Sequence, residues 1–192
     1  MSLPQESLSK IRACFQSAEV AIKDCENLTG NLPQGAVNEL RYSCRHLIEF
    51  LEDGSEENLN KFIRHCKRAE YDSKELQVLM LKEKVQHILE SFRSNEDVVM
   101  ELLGESKYIK MLDSKKETDE ILVKASAEVD KRIDYLTKIQ GAIPLLQDDL
   151  STLSHSLPAI RRKIKKQNYI KNITNFTMFL AVLTLIAAFL DL

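Results

Sequence analysis

The chain has no tryptophan and only 5 glycines and 4 prolines in its 192 residues. That scarcity excludes collagen-like and low-complexity architectures. With abundant Lys, Glu, Leu and Ile, it favours helix throughout. Cysteine is also sparse: Cys14, Cys25, Cys44 and Cys66 lie in the first third, and no two form a C-x-x-C pair. A zinc site combining them with His46 or His65 is disfavoured, because the spacing fits no metal-ligand pattern. We expect reduced thiols packed as small apolar groups. The polar stretch from Met1 to Ile11 does not read as a secretory signal. A glycine-rich phosphate loop, G-x-S-x-G and H-E-x-x-H are missing too, so no enzyme, metal or cofactor is expected from motifs.

What is present is an uneven distribution of charge. From Arg161 onward there are six cations (Arg161, Arg162, Lys163, Lys165, Lys166 and Lys171) against the single anion Asp191. The whole chain carries −2, so the part before Arg161 is strongly acidic. An acidic body with a basic neck does not suit coating of nucleic acid by the whole surface.

Beyond the neck, Ile173 to Leu190 reads ITNFTMFLAVLTLIAAFL, without a charged residue. At about 1.5 Å per residue this run reaches roughly 27 Å, enough for the hydrocarbon core of a bilayer. The cations before it should remain on the cytoplasmic side. Within the run, Thr174, Thr177, Ala181, Thr184 and Ala188 recur at spacings of three and four, and Asp191 continues them. Helices in lipid associate through such small and hydroxyl-bearing stripes. One reading is a dimer seam whose hydroxyls bond back to their own helix. The other is the lining of a pore in a ring of three or more helices, with Asp191 as a cation-favouring ring at one mouth.

Upstream the periodicity is helical. We expect helices over Glu6 to about Thr29, Ala36 to Glu52 and Glu56 to about Phe92, separated by Gly30–Gly35 and Asp53-Gly54-Ser55. Another starts near Ser94-Asn95-Glu96 and is ended or interrupted at Gly104; Tyr108 to Leu112 is ambiguous. Leu122, Ala125, Val129, Ile133 and Leu136 fall on one heptad-like seam. Gly141 and Pro144 should break it by a kink or short loop. It resumes as Ile143, Leu146, Leu150, Leu153, Leu157, Ile160 and Ile164, a pattern that packs along its length. A fresh helix could begin at Pro158, capped by Ser156, and run through the neck into the membrane. The fold class is therefore all-α. Residues 1–112 form a cytosolic helical bundle with a basic hairpin at 36–93. A coiled-coil region follows at 113–157, a juxtamembrane neck at 158–172 and a transmembrane helix at 173–190.

The hairpin carries the main polar constellation, in NELRYSCRH (38–46) and RHCKRAEYD (64–72). Folding about Gly54 would bring His46 near His65, and Arg41 near Arg68 and Asp72. Arg41, Arg45, Arg64, Lys67 and Arg68, with His46 and His65, then suit phosphodiesters, and Tyr42 and Tyr71 could stack on bases. The ligand would be short, since the acidic body repels a long polyanion. The bland alternative is a solvated network in which Arg41 pairs with Asp72, and Arg68 with Glu70 or Asp72. Arg41 and His46, with four residues between them, also resemble the arginine–histidine motif of the HEPN ribonucleases. There His46 would be the acid or base and Arg41 would hold the phosphate. Five positions apart, however, the two share a helix face poorly.

The hairpin segments NELRYSCRHLIEFL and NKFIRHCKRAEYDSKE, from Val37 to Glu75, resemble those of small helical bacterial proteins from antiphage defence loci. Size, helical body and tail are similar to the membrane effectors of such systems, among them the Hailong effector. There a nucleotidyltransferase makes DNA oligomers that control an oligomeric channel. The resemblance implies a ligand-gated pore in the bacterial inner membrane, single-pass, with the body cytoplasmic. It also implies membrane lipid and further copies of the chain as partners, and a short DNA oligomer or nucleotide as ligand. The competing reading is a passive tail-anchored scaffold whose heptads recruit a partner. A fusion protein of the SNARE type would end similarly, but Gly141 and Pro144 interrupt the heptads where such a bundle is continuous.

Overall fold

The computed structural model describes residues 5–190; Asp191 lies outside the described residues. Six helices follow one another: α1 (Gln5–Thr29), α2 (Gln34–Asp53), α3 (Glu56–Ser91), α4 (Glu96–Leu103), α5 (Glu105–Ala127) and α6 (Leu136–Leu190). Short 3-10 turns cover Arg93–Asn95 and Val129–Tyr135, and no strand occurs among the described residues. Two glycines close helices because they accept a left-handed backbone. Gly54 (φ 69°) ends α2 by donating its N–H to the Phe50 carbonyl, and Gly104 (φ 84°) ends α4 by donating to Met100.

The 36-residue α3 is the central post of the body. Its upper half packs against α1 and α2, burying Phe62, Cys66 and Ala69 with Ala18, Ile22, Ala36 and Phe50. Its lower half packs against α6, so that Val78 and Leu81 meet Ile139, Ala142 and Leu146. The base closes with Phe92, Val98, Val99, Tyr108 and Ile160. Ile139, Leu146, Leu153 and Ile160, each seven residues after the last, have no exposed surface. Ile143, Leu150, Leu157 and Ile164 flank them in the same packed clusters. That alternation is the heptad seam expected over this stretch, packed within the chain on α3, α4 and α5.

Three expectations are corrected. Tyr108 to Leu112 is not ambiguous: it lies inside α5, with Tyr108 and Met111 buried. The seam from Leu122 to Leu136 is not one rod, since α5 stops at Ala127 and the 3-10 turn reverses the chain. Leu122 and Ala125 then face Ile139, Ala142 and Leu146, so the seam's two halves bury each other. Third, neither Gly141 nor Pro144 opens a loop, and Pro158 starts no new helix: all three lie within the 55-residue α6. Each proline costs one intrahelical hydrogen bond. Buried residues on both sides of each, Ala142 and Leu146, Leu153 and Ile160, hold the rod together.

Past Ile164 the character of α6 changes. Every residue from Lys165 to Ile186 is exposed. Within Lys131–Ile186 an eighteen-residue stretch has a mean hydropathy of 1.3, and none of that stretch is buried in the body. This is one helix long and apolar enough to cross a membrane. Soluble proteins rarely leave so large a contiguous apolar surface uncovered.

Candidate functional site

The α2–α3 hairpin sets the geometry of the polar constellation. Ser43 and Cys66 are buried where the two helices meet, and the Ser43 hydroxyl donates to the Leu40 carbonyl at 2.7 Å. Desolvation pushes the Cys66 thiol up to about 11, so it stays protonated and inert. All four cysteines are free thiols. Among the described residues no cluster of His, Cys, Asp or Glu is placed to hold a metal ion.

The expected meeting of His46 and His65 is formed. Their rings stack at 5.2 Å between centroids, 13° from parallel. Each is also held by a carboxylate: His46 Nδ1 lies 2.9 Å from Glu49 Oε2, and His65 Nδ1 lies 2.6 Å from Glu39 Oε2. Glu49 also accepts from Arg45 Nε at 3.0 Å, and the two partners hold its carboxyl below the usual range. His46 and His65 are therefore engaged inside the hairpin rather than presented free to a ligand, whereas Arg45 lies on the surface with its Nε committed to Glu49. The Arg41 guanidinium lies over the Tyr42 ring, 5.5 Å from its centroid. Among the described residues no ion pair joins Arg41 to Asp72, or Arg68 to Glu70 or Asp72. Glu70 instead holds Lys74 Nζ at 2.6 Å. Lys67, exposed on α3, lies near enough to α1 for its charge to act on the Cys14 thiol.

Arg64 and Arg68 remain, and they line a pocket of about 210 Å³ with Glu39, Tyr71, Asp72, Arg132 and Ile133. Arg132 comes from the 3-10 turn between α5 and α6, and its buried Nε has no hydrogen-bond partner. Three guanidiniums from two distant segments thus share one small pocket. Burial pushes the Asp72 carboxyl up to about 6, aided by the nearby charges of Glu39 and Glu75 and opposed by Arg132 and Arg68. The pocket has spare donors and a carboxyl that sheds charge easily, an arrangement suited to an anion. Arg132 was not singled out by the sequence reading. Its place depends on the chain reversing at 129–135, where the heptad pattern suggested a straight rod.

At the other end, Thr174, Thr177, Ala181, Thr184 and Ala188 are all exposed on one stripe of α6. The hydroxyls of Thr174, Thr177 and Thr184 donate to the carbonyls of Ile170, Ile173 and Leu180 on their own helix. Each oxygen keeps an acceptor lone pair for water, an ion or a neighbouring helix. In the neck, Lys163 pairs with Glu101 of α4, tying the neck to the body. Arg161, Arg162, Lys165, Lys166 and Lys171 form no ion pair among the described residues.

No family, curated protein or solved structure matches this chain.

Proposed function

We propose that the protein is a non-enzymatic, ligand-gated membrane effector of bacterial antiphage defence. Its body senses a short anionic ligand, an oligonucleotide or a nucleotide, in the pocket of Arg64, Arg68 and Arg132. Three or more copies gather their C-terminal helices into a pore in the inner membrane, with the body cytoplasmic. One observation supports this reading above the others. A single uninterrupted helix carries the body's buried seam, the basic neck and the bare apolar run. Movement at the packed end therefore has a rigid route to the stripe of Thr174, Thr177, Ala181, Thr184 and Ala188.

The test is ion flux in vesicles containing the purified chain. Thr177→Leu with Thr184→Leu should abolish flux and leave insertion intact; unchanged conductance refutes the pore stripe. Arg64→Glu with Arg68→Glu should remove the response to ligand without altering oligomer size, and Arg132→Gln should weaken it. In bacteria, the full chain should depolarise cells, and a chain lacking the tail should not.

A passive tail-anchored scaffold is the second reading. The internal hydrogen bonds of the three threonines favour it, because they let the span sit in lipid without a partner. A scaffold would be harmless in both forms. A ribonuclease using Arg41 and His46 would stay toxic without the tail. The contacts that hold His46 between Glu49 and His65 lend it no support.

A further inference from the structure

We propose that the neck of α6 carries a site for one anionic phospholipid, built by Arg161, Lys165, Asn168, Tyr169 and Asn172 against Phe92. These residues and Ile164 line a pocket of about 450 Å³. The proposal rests on the membrane reading of α6, and the ligand-sensing pocket plays no part in it.

The site exists because the body ends abruptly. Phe92 caps α3, and a 3-10 turn carries the chain away to α4. Phe92 is packed with Ile160, and Ile164 lies against the same cluster. Immediately beyond, from Lys165 onward, α6 leaves the body and is exposed. The pocket is the corner under that step, with an apolar wall above and a polar helix face beside it.

That face is ordered by depth. Arg161, Lys165, Asn168 or Tyr169, and Asn172 follow at spacings of three and four, hence on one side of the helix. Cations come first, then amides and a phenol, then the apolar run from Ile173. A phospholipid has the same order: phosphate, glycerol esters, acyl chain. Arg161 and Lys165 would hold the phosphate oxygens by charge-assisted hydrogen bonds. Asn168 and Asn172 would donate to the ester carbonyls. Tyr169, two-thirds exposed, would sit at the interface as an aromatic anchor. The pocket is cationic without a carboxylate in its lining, so an anionic lipid fits better than a zwitterionic one. Lys163, two residues from Arg161 and from Lys165 and so on the opposite side of the helix, is already committed to Glu101, which leaves the pocket side of the neck to the lipid.

The experiment is native mass spectrometry of the full chain in detergent, titrated with phosphatidylglycerol or phosphatidylcholine, beside insertion into phosphatidylcholine vesicles. Phosphatidylglycerol should be retained about tenfold or more over phosphatidylcholine. Arg161→Gln with Lys165→Gln should abolish that preference. Both side chains are exposed, so folding should survive. The charge-matched pair Arg162→Gln with Lys166→Gln, outside the pocket, should lose only the general attraction. Equal losses in the two pairs would overturn the site in favour of diffuse charge. Displacement of the lipid by inorganic phosphate at matching concentration would make this a site for free phosphate and overturn the lipid. Unchanged lipid retention with a changed oligomer mass would make the corner a contact between copies and overturn it as well. Failure to enter even phosphatidylcholine vesicles would overturn the membrane reading itself, a result none of the pocket outcomes produces.

Discussion

At the residue scale, the decisive positions are those whose surroundings cannot relax. Leu153 has no exposed surface and packs with Val85 and Met111. Leu153→Ala should cost about 2–5 kcal/mol, read from denaturant unfolding. Asp72 gives a signature in pH. Its carboxyl, ordinarily near 3.8, is pushed up to about 6 by burial. Between those values the folded chain holds more protons than the unfolded one, so stability falls as pH rises from about 4 to about 6 and is level below that window. Asp72→Asn should remove the slope and stabilise the protein at pH 7 by on the order of 1 kcal/mol, checked by melts across that range. The same logic makes an anion bind Arg64, Arg68 and Arg132 more tightly in mild acid. The stacked His46 and His65 were legible in the sequence, because a hairpin about Gly54 fixes which positions face each other. The pairing of Glu39 and Glu49 with them was not, since helix periodicity says nothing of which rotamer a carboxylate takes.

At the element scale, helix existence was legible and helix continuity was not. The glycines at 54 and 104 were read correctly as ends, because each supplies a positive φ that few other residues accept. Gly104→Ala should cost about 1–3 kcal/mol, checked by thermal unfolding; a neutral result would show that the α4–α5 corner tolerates another backbone. Pro144 stays within the helix, without the loop that its sequence allows, for a physical reason. The penalty of a helical proline is about 3 kcal/mol, and flanking burial of the size seen at Ala142 and Leu146 offsets it. Pro144→Ala should therefore raise stability, by up to about 3 kcal/mol. If α6 needs to flex there, the gain in stability comes with a loss of ligand response. The heptad at Leu122 to Leu136 failed as a rod because hydrophobic spacing fixes which face is apolar, not what covers it. An antiparallel neighbour satisfies it as well as a second chain does.

At the scale of the whole molecule, body and span are separable. Among the described residues, all four packed clusters are built from positions up to Ile164. A chain ending after Lys166 should be soluble, helical and single by light scattering, whereas the full chain should require detergent and run as an oligomer. A detergent-solubilised full chain of monomer mass would remove the pore and leave the anchor. The acidic body and basic neck were legible as composition. The pocket at Arg132 was not, because it joins positions 64 and 132 through a reversal that no local pattern announces.

The unbroken course of α6 also fixes an azimuth. Ile139, Leu146, Leu153 and Ile160 belong to a seven-residue series that continues through Gln167 to Thr174, Ala181 and Ala188. A straight helix drifts about 20° per seven residues, so over the four to five heptads between the middle of the buried seam and the middle of the stripe the hydroxyl side turns by roughly a right angle from the buried side of the body. Were such spans to meet around an axis, each body would lie to one side of its own span, against the next copy rather than over the mouth, and a turn of one would press on its neighbour. One residue inserted after Gln167 turns the span by about 100° and should silence it, whereas seven inserted residues restore the phase to within about 20° and should leave it able to conduct.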